Sequence, residues 1–174
     1  MNKLMLVLPS MKYEDMVMKY KDEFILNNEF MHGTAGLDKF DTFEQWYEKI
    51  VNNSDEETVL EGLVPASTYL AISIDDGRLL GMIDIRHRLN EYLLKFGGHI
   101  GYSIKKSERR NGYATEMLFH ALKKCEKLKI KKVLITCDKD NIPSAKTIIN
   151  NGGILENEVL GGKHILQRYW INLA

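Results

Sequence analysis

Six apolar residues, Ala114, Met117, Leu118, Ala121, Leu122 and Cys125, recur at i, i+3, i+4, i+7, i+8 and i+11, which is one face of a helix. Lys123, Lys124 and Lys127 fall off that face. The helix is bracketed by two apolar runs, His99–Ile104 and Val133–Cys137. A strand, a helix packed on the sheet and a second strand make a β-α-β crossover with parallel strands. Ligands of open α/β sheets bind beyond the carboxyl ends of such strands. The loop at that position is Arg109-Arg110-Asn111-Gly112-Tyr113-Ala114.

A short basic loop with a glycine at a strand-to-helix junction can cradle phosphate. Helix N-termini offer free N–H groups and a partial positive charge, and glycine lets the backbone come close. In isolation the same letters fit an ordinary turn with solvated arginines. In this setting they point to a coenzyme held by its pyrophosphate. Neither G-x-G-x-x-G after a strand nor G-x-x-x-x-G-K-[ST] occurs, so two rival phosphate motifs are excluded.

Other segments complete an α/β pattern. Leu4–Leu8, stopped by Pro9, reads as a short buried strand. Tyr13–Asn27 reads as a helix with Met16, Tyr20, Phe24 and Val17 as its stripe. Asp41 reads as an N-cap with Glu44 three residues on, ahead of Phe43, Trp46, Tyr47 and Ile50 at helical spacing. Tyr69–Ile74 and Leu79–Ile85 flank Asp75-Asp76-Gly77-Arg78, a hairpin signal. Arg86–Lys95 is charged and irregular. Asn141 can cap a helix with Pro143 in its first turn and Gly152-Gly153 at its end. Ile154–Val159 and Ile165–Ile171 form a terminal hairpin around Gly161-Gly162.

The 174 residues suit one domain spanning 1–174, and no repeat or linker interrupts them. A formal net charge of +0 implies no bulk pull toward nucleic acid or membrane. The basic run Lys123–Lys132 lacks an aromatic platform and reads as a solvated face. Cys125 and Cys137 fit neither a disulfide framework nor a metal site, and read as buried thiols. With no signal-peptide pattern and no bilayer-length apolar run, a cytoplasmic protein is expected.

On these residues the chain resembles the GNAT superfamily, the acetyl-CoA-dependent N-acetyltransferases, over essentially its whole length. The family's [Q/R]-x-x-G-x-[G/A] signature matches Arg109, Gly112 and Ala114, and its asparagine-led helix matches Asn141-Ile142-Pro143-Ser144-Ala145. Within the family it is similar to bacterial predicted acetyltransferases carrying the runs seen here at Ile100–Ser103, Glu108–Met117 and Asn151–Gly153. The resemblance implies a GNAT-like α/β (α+β) fold: a mixed, mainly antiparallel sheet, a splayed central parallel strand pair and flanking helices. It implies acetyl-CoA as co-substrate, no metal, and a primary amine of a small molecule or peptide as acceptor, attacked directly in a ternary complex. Family members are often homodimers, so by analogy a homodimer is expected.

By resemblance, backbone N–H groups of Arg109, Arg110, Asn111, Gly112, Tyr113, Ala114 and Thr115 would hold the pyrophosphate, with Lys105 or Lys106 adding charge. Main-chain groups of Tyr102, Ser103 and Ile104 would pair with pantetheine amides as a form of strand addition. Asn141 and Ser144 resemble coenzyme-side contacts; a plain cap and a surface hydroxyl read equally well from the residues alone. His99 stands where several relatives carry a basic glutamate, and imidazole titrates in a useful range. The competing reading is a strand-edge histidine with a backbone partner. The family's usual acid, a tyrosine on the asparagine-led helix, is replaced near Ile148 and Ile149; Tyr102, Tyr92 and Tyr169 are weak substitutes. The acceptor pocket is expected along Asn28–Phe40, the second helix and the segment after Ile85. That missing tyrosine keeps a non-catalytic acyl-CoA sensor open as an alternative, beside another acyl donor or a hydroxyl acceptor.

Overall fold

Gly77 turns the chain at φ 72°, and the Asp75–Arg78 segment closes a hairpin between β2 (Ala66–Ser73) and β3 (Leu79–Arg86). The computed structural model describes residues 2–173. β1 (Leu4–Val7) pairs with β2 and β4 (Ile100–Ile104) with β3, giving the sheet order β1-β2-β3-β4. A second sheet, β5-β7-β6, contains β5 (Lys132–Asp138), β6 (Ile154–Gly161) and β7 (His164–Asn172). All ladders among the described residues are antiparallel. β4 and β5 lie side by side without a ladder between them, so the expected splay is present.

Two helical layers sandwich the first sheet. α3 (Tyr113–Lys127) covers one face, and α4 (Ile142–Asn150) lies beside it on β5, so that Met117, Leu118, Ala121 and Ile148 share one core with Ile83, Ile100 and Ile135. α1 (Glu14–Leu26) and α2 (Phe43–Asn52) cover the other, with Val17, Tyr20, Phe24 and Trp46 against Leu70, Ile72 and Met82. Each such large side chain, fully buried, contributes roughly 1.5–3 kcal/mol before entropy is subtracted. Both cysteines are buried. Among the described residues, no helix is long and apolar enough to cross a membrane.

Several sequence expectations shift. The α1 stripe is Val17, Tyr20 and Phe24; Met16 is 38% exposed. Thr42, not Asp41, caps α2, its Oγ1 accepting the Gln45 N–H at 3.3 Å. β1 is an edge strand with Leu4 buried and Met5 exposed, rather than buried throughout, because only one face meets the core. The irregular stretch after Arg86 contains a π-helical turn, Leu93–Gly97, begun by Asn90 Oδ1 accepting the Leu93 N–H. β6 has no buried residue; Ile154, Leu155 and Leu160 are exposed, and its register with β7 shifts between Leu155 and Asn157.

Candidate active site

The gap between the two sheets arises from hydrogen-bond parity. On β4, Lys105 N–H bonds Leu80 C=O and Arg86 N–H bonds His99 C=O, so odd-numbered residues turn toward β3. The main-chain groups of Ile100, Tyr102 and Ile104 therefore face away from β3. On β5, Leu173 N–H bonds Lys131 C=O and Lys139 N–H bonds Ile165 C=O, which turns odd residues toward β7. Leu134, Thr136 and Asp138 face the gap. Two strand edges thus confront each other without pairing, except where His99 and Leu134 meet.

At that junction the His99 N–H donates to Leu134 C=O at 2.7 Å, and the Leu134 N–H donates to His99 Nδ1 at 3.0 Å. His99 is buried, and desolvation together with the Arg86 charge pushes its pKa down to about 4. Since Nδ1 must carry a lone pair, Nε2 carries the proton of the neutral ring. Such an imidazole has no free lone pair with which to take a proton from an amine. This geometry matches the histidine with a backbone partner and speaks against the general base expected at this position.

The phosphate-like loop opens where the crossover predicts. Gly112 is the N-cap of α3 at φ 81°, with no side-chain cap, and a Cβ built there would meet nothing within 4 Å. Arg110 also adopts a positive φ, 64°. Among the described residues, the N–H groups of Arg110, Asn111, Gly112, Tyr113, Ala114 and Thr115 have no hydrogen-bond partner outside the helix's own ladder. This is an anion-ready helix terminus. The charge expected from the sequence fits less well. Arg109 Nε donates to Ile104 C=O at 3.0 Å, and its guanidinium clamps Glu29 through both terminal nitrogens. Lys105 pairs with Glu23 at 3.2 Å, and Lys106 reaches Asn27 Oδ1 at 3.0 Å. Among these cations only Arg110 is without an ion pair or side-chain hydrogen bond among the described residues.

Asn141 caps α4, its Oδ1 accepting the Ser144 N–H at 3.1 Å. Ser144 Oγ lies 2.7 Å from the Tyr102 hydroxyl. Burial pushes the Tyr102 phenol up to about 12, so it keeps its proton at neutral pH. Sequence reasoning missed Tyr20, whose buried hydroxyl lies 2.8 Å from Ser103 Oγ, while Ser103 Oγ donates to His32 C=O at 2.5 Å. It missed Gly33 as well. At φ 70°, a Cβ on Gly33 would lie 2.2 Å from Gly101 O, so only glycine lets this loop rest on β4. The loop is held further by Trp46 Nε1 to Thr34 C=O at 2.8 Å and Lys49 Nζ to Ala35 C=O at 2.6 Å. Beside it, Asn28, Glu29, Phe30, Met31, His32 and Asp38 line a cleft of about 330 Å³. The segment after Ile85 splits: Arg86 turns inward onto Gly97 and Gly98 carbonyls, while Arg88 pairs with Glu56 at the surface. Tyr92 is exposed, and Tyr169 bonds Gln167.

The acetyltransferase (GNAT) domain family matches residues 6–153 of the sequence. The chain belongs to this family. It is therefore a GNAT acetyltransferase, an acyltransferase, and its two-sheet architecture agrees. Solved structures of the same fold include the ribosomal-protein-S5-alanine acetyltransferase of Vibrio fischeri, at TM-score 0.73 and 13% identity, covering 99% of this chain and 94% of that one. The ribosomal L7/L12 alpha-N-protein acetyltransferase RimL, in complex with coenzyme A, superposes at 0.71 with 16% identity, covering 99% and 96%. The microcin C7 self-immunity acetyltransferase MccE, in complex with acetyl-CoA and AMP, superposes at 0.70 with 15% identity, covering 99% and 94%. No curated protein matches the sequence significantly.

Proposed function

We propose that this acetyltransferase takes acetyl-CoA as donor and moves its acetyl group to the primary amine of a peptide or small molecule. The observation that carries the donor half is the gap itself: the unpaired main-chain groups of Tyr102, the Ile104 N–H and the main-chain groups of Thr136 lead to the uncapped N-terminus of α3. Ser103, expected to pair as well, turns its main chain into the β3 ladder instead. Pantetheine amides are extended donors and acceptors that such edges can pair with, and pyrophosphate suits the six free N–H groups. Arg110 adds charge from the loop, while Arg109 holds the loop in place. Solved relatives in complex with acetyl-CoA or coenzyme A support the same donor.

Attack requires a neutral amine, because an alkylammonium near pKa ~10 has no lone pair to offer. With His99 locked as a neutral donor, proton removal falls to water in the acceptor cleft. The departing thiolate can accept a hydrogen bond from the Tyr102–Ser144 hydroxyl pair. That pair takes the place of the helix tyrosine absent near Ile148 and Ile149. A phenol near 12 donates a hydrogen bond to a thiolate of ordinary pKa ~8.5 but does not give up its proton to it. The thiolate therefore leaves stabilised and is protonated by solvent.

For the acceptor, a peptide amine is preferred over a small amine. Three solved relatives are named for acetylating ribosomal proteins, one of them at the N-terminal serine of L7/L12. The cleft beside Asn28–His32 is open and carries the exposed side chain of Phe30, which suits a chain laid across it. The test is acetyl-CoA titration by calorimetry, then thiol release with short peptides, amino acids, polyamines and aminoglycosides. Saturable binding and peptide-dependent release are expected. Absence of binding removes the donor assignment, and release with small amines alone removes the peptide preference.

A further inference from the structure

In a regular antiparallel strand, the N–H and C=O of one residue point to the same neighbour. His99 breaks that rule. Its C=O accepts from Arg86 of β3, while its N–H donates across to Leu134 of β5. Gly98, immediately before, has φ 65° and ψ −175°, and a Cβ there would lie 2.6 Å from Leu134 O. Only a glycine lets the chain turn its N–H toward the other sheet at that spot. Arg86 fixes the turn from below by donating to both Gly97 and Gly98 carbonyls, at 3.3 Å and 3.1 Å.

Past this turn the two edges share no further backbone pairing. The Leu134 N–H would, in a continuing sheet, take a β4 carbonyl. Instead it takes the His99 imidazole at 3.0 Å. The next gap-facing residue of β5, Thr136, sends its hydroxyl to Phe96 C=O of the π-helical turn at 2.8 Å, not to β4. Beyond this point no main-chain bond joins β4 to β5 among the described residues. The side chain thus caps the last shared hydrogen-bonding site, and the edges part immediately after it.

We propose that His99 is a positioning residue for the donor: by occupying the Leu134 N–H it ends pairing between the two sheets and fixes the mouth of the gap that receives the pantetheine arm. This rests on the acetyl-CoA reading above. A base in this position would act on turnover; a staple acts on how well the two edges are pre-set for the coenzyme, hence on donor binding. Glutamine offers an amide oxygen that can replace Nδ1. Leucine matches the bulk and leaves the Leu134 N–H buried without a partner.

The experiment measures coenzyme A affinity by calorimetry, donor KM and kcat, and amide exchange at Leu134, in wild type, His99→Gln and His99→Leu. Glutamine should keep affinity and kcat within about threefold, while leucine should weaken coenzyme A binding at least about tenfold, with kcat at saturating donor changing much less. Leu134 protection should be lost in the leucine variant and retained with glutamine. Wild-type affinity in the leucine variant overturns the inference. So does a glutamine variant with normal affinity and a hundredfold loss (about 2.7 kcal/mol) in kcat, the signature of a proton-transfer role. If wild type binds no coenzyme A, the donor reading falls, and Leu134 exchange still decides the staple: protection unchanged in the leucine variant refutes it. Should the leucine variant fail to fold, a glutamine variant that loses Leu134 protection yet keeps coenzyme A affinity refutes it equally.

Discussion

The donor side and the acceptor side of this site are built from different materials. The donor side consists of backbone: two strand edges and a helix N-terminus whose orientation is set by periodicity and one glycine. The acceptor side is a loop, residues 28–40, pinned to β4, α1 and α2 by single hydrogen bonds from Ser103, Lys21, Trp46 and Lys49. Backbone constructions tolerate change of side chain but not of local geometry. A pinned loop fails one contact at a time, and its chemistry can change without disturbing the fold.

The sharpest way to break the comparison is Gly33→Ala, on the acceptor side. Its Cβ would enter Gly101 backbone at 2.2 Å with φ at 70°, so either loop or strand must move. A loss of roughly 2–4 kcal/mol in chemical denaturation is expected, combining overpacking with left-handed strain. A variant of unchanged midpoint would show that the loop is not seated on β4. Next comes Gly112→Asp on the donor side, where the Cβ meets open space and the carboxylate faces the phosphate position. Acetyl-CoA affinity should fall at least about a hundredfold, about 2.7 kcal/mol, while circular dichroism stays near wild type. Near-normal affinity in calorimetry would remove the loop from the donor site.

The smallest effect is titration of the junction. Burial and Arg86 hold His99 at about 4, below its ordinary value, so the unfolded chain takes up the proton first. Its contribution to stability is complete above about pH 6.5 and fades as pH falls toward 4, with about 1.4 kcal/mol lost by pH 5.5. Denaturation midpoints between pH 7.5 and 5.5 measure this, and His99→Gln should flatten the slope. An unaltered slope would mean that His99 is not the group responsible.

The same contrast explains what could be read from the letters. The β2–β3 hairpin, the α3 face and the Asn141 cap depend on neighbours within a few residues, so they were legible. Thr42 displaced Asp41 as cap by one position, a choice two adjacent polar residues leave to packing. Arg109 looked like a phosphate ligand because its partner, Glu29, lies 80 residues away. His99 looked like a base because nothing local announces the Leu134 N–H. The spacing placed Tyr20 on the buried face of α1, but the part that Tyr20 and Gly33 play at the site carried no local signal, since each acts there through β4.

β6 shows how the second sheet keeps its outer border from becoming sticky. The border strand is eight residues long and exposes Ile154, Leu155 and Leu160, a template on which another chain's strand could grow. The register shift between Leu155 and Asn157 interrupts the straight row of donors and acceptors. Glu156 and Glu158, tethered to Arg168 and Lys139, set negative charge between the apolar residues. Straightening that shift or neutralising those two glutamates would convert a quiet rim into a nucleus for aggregation.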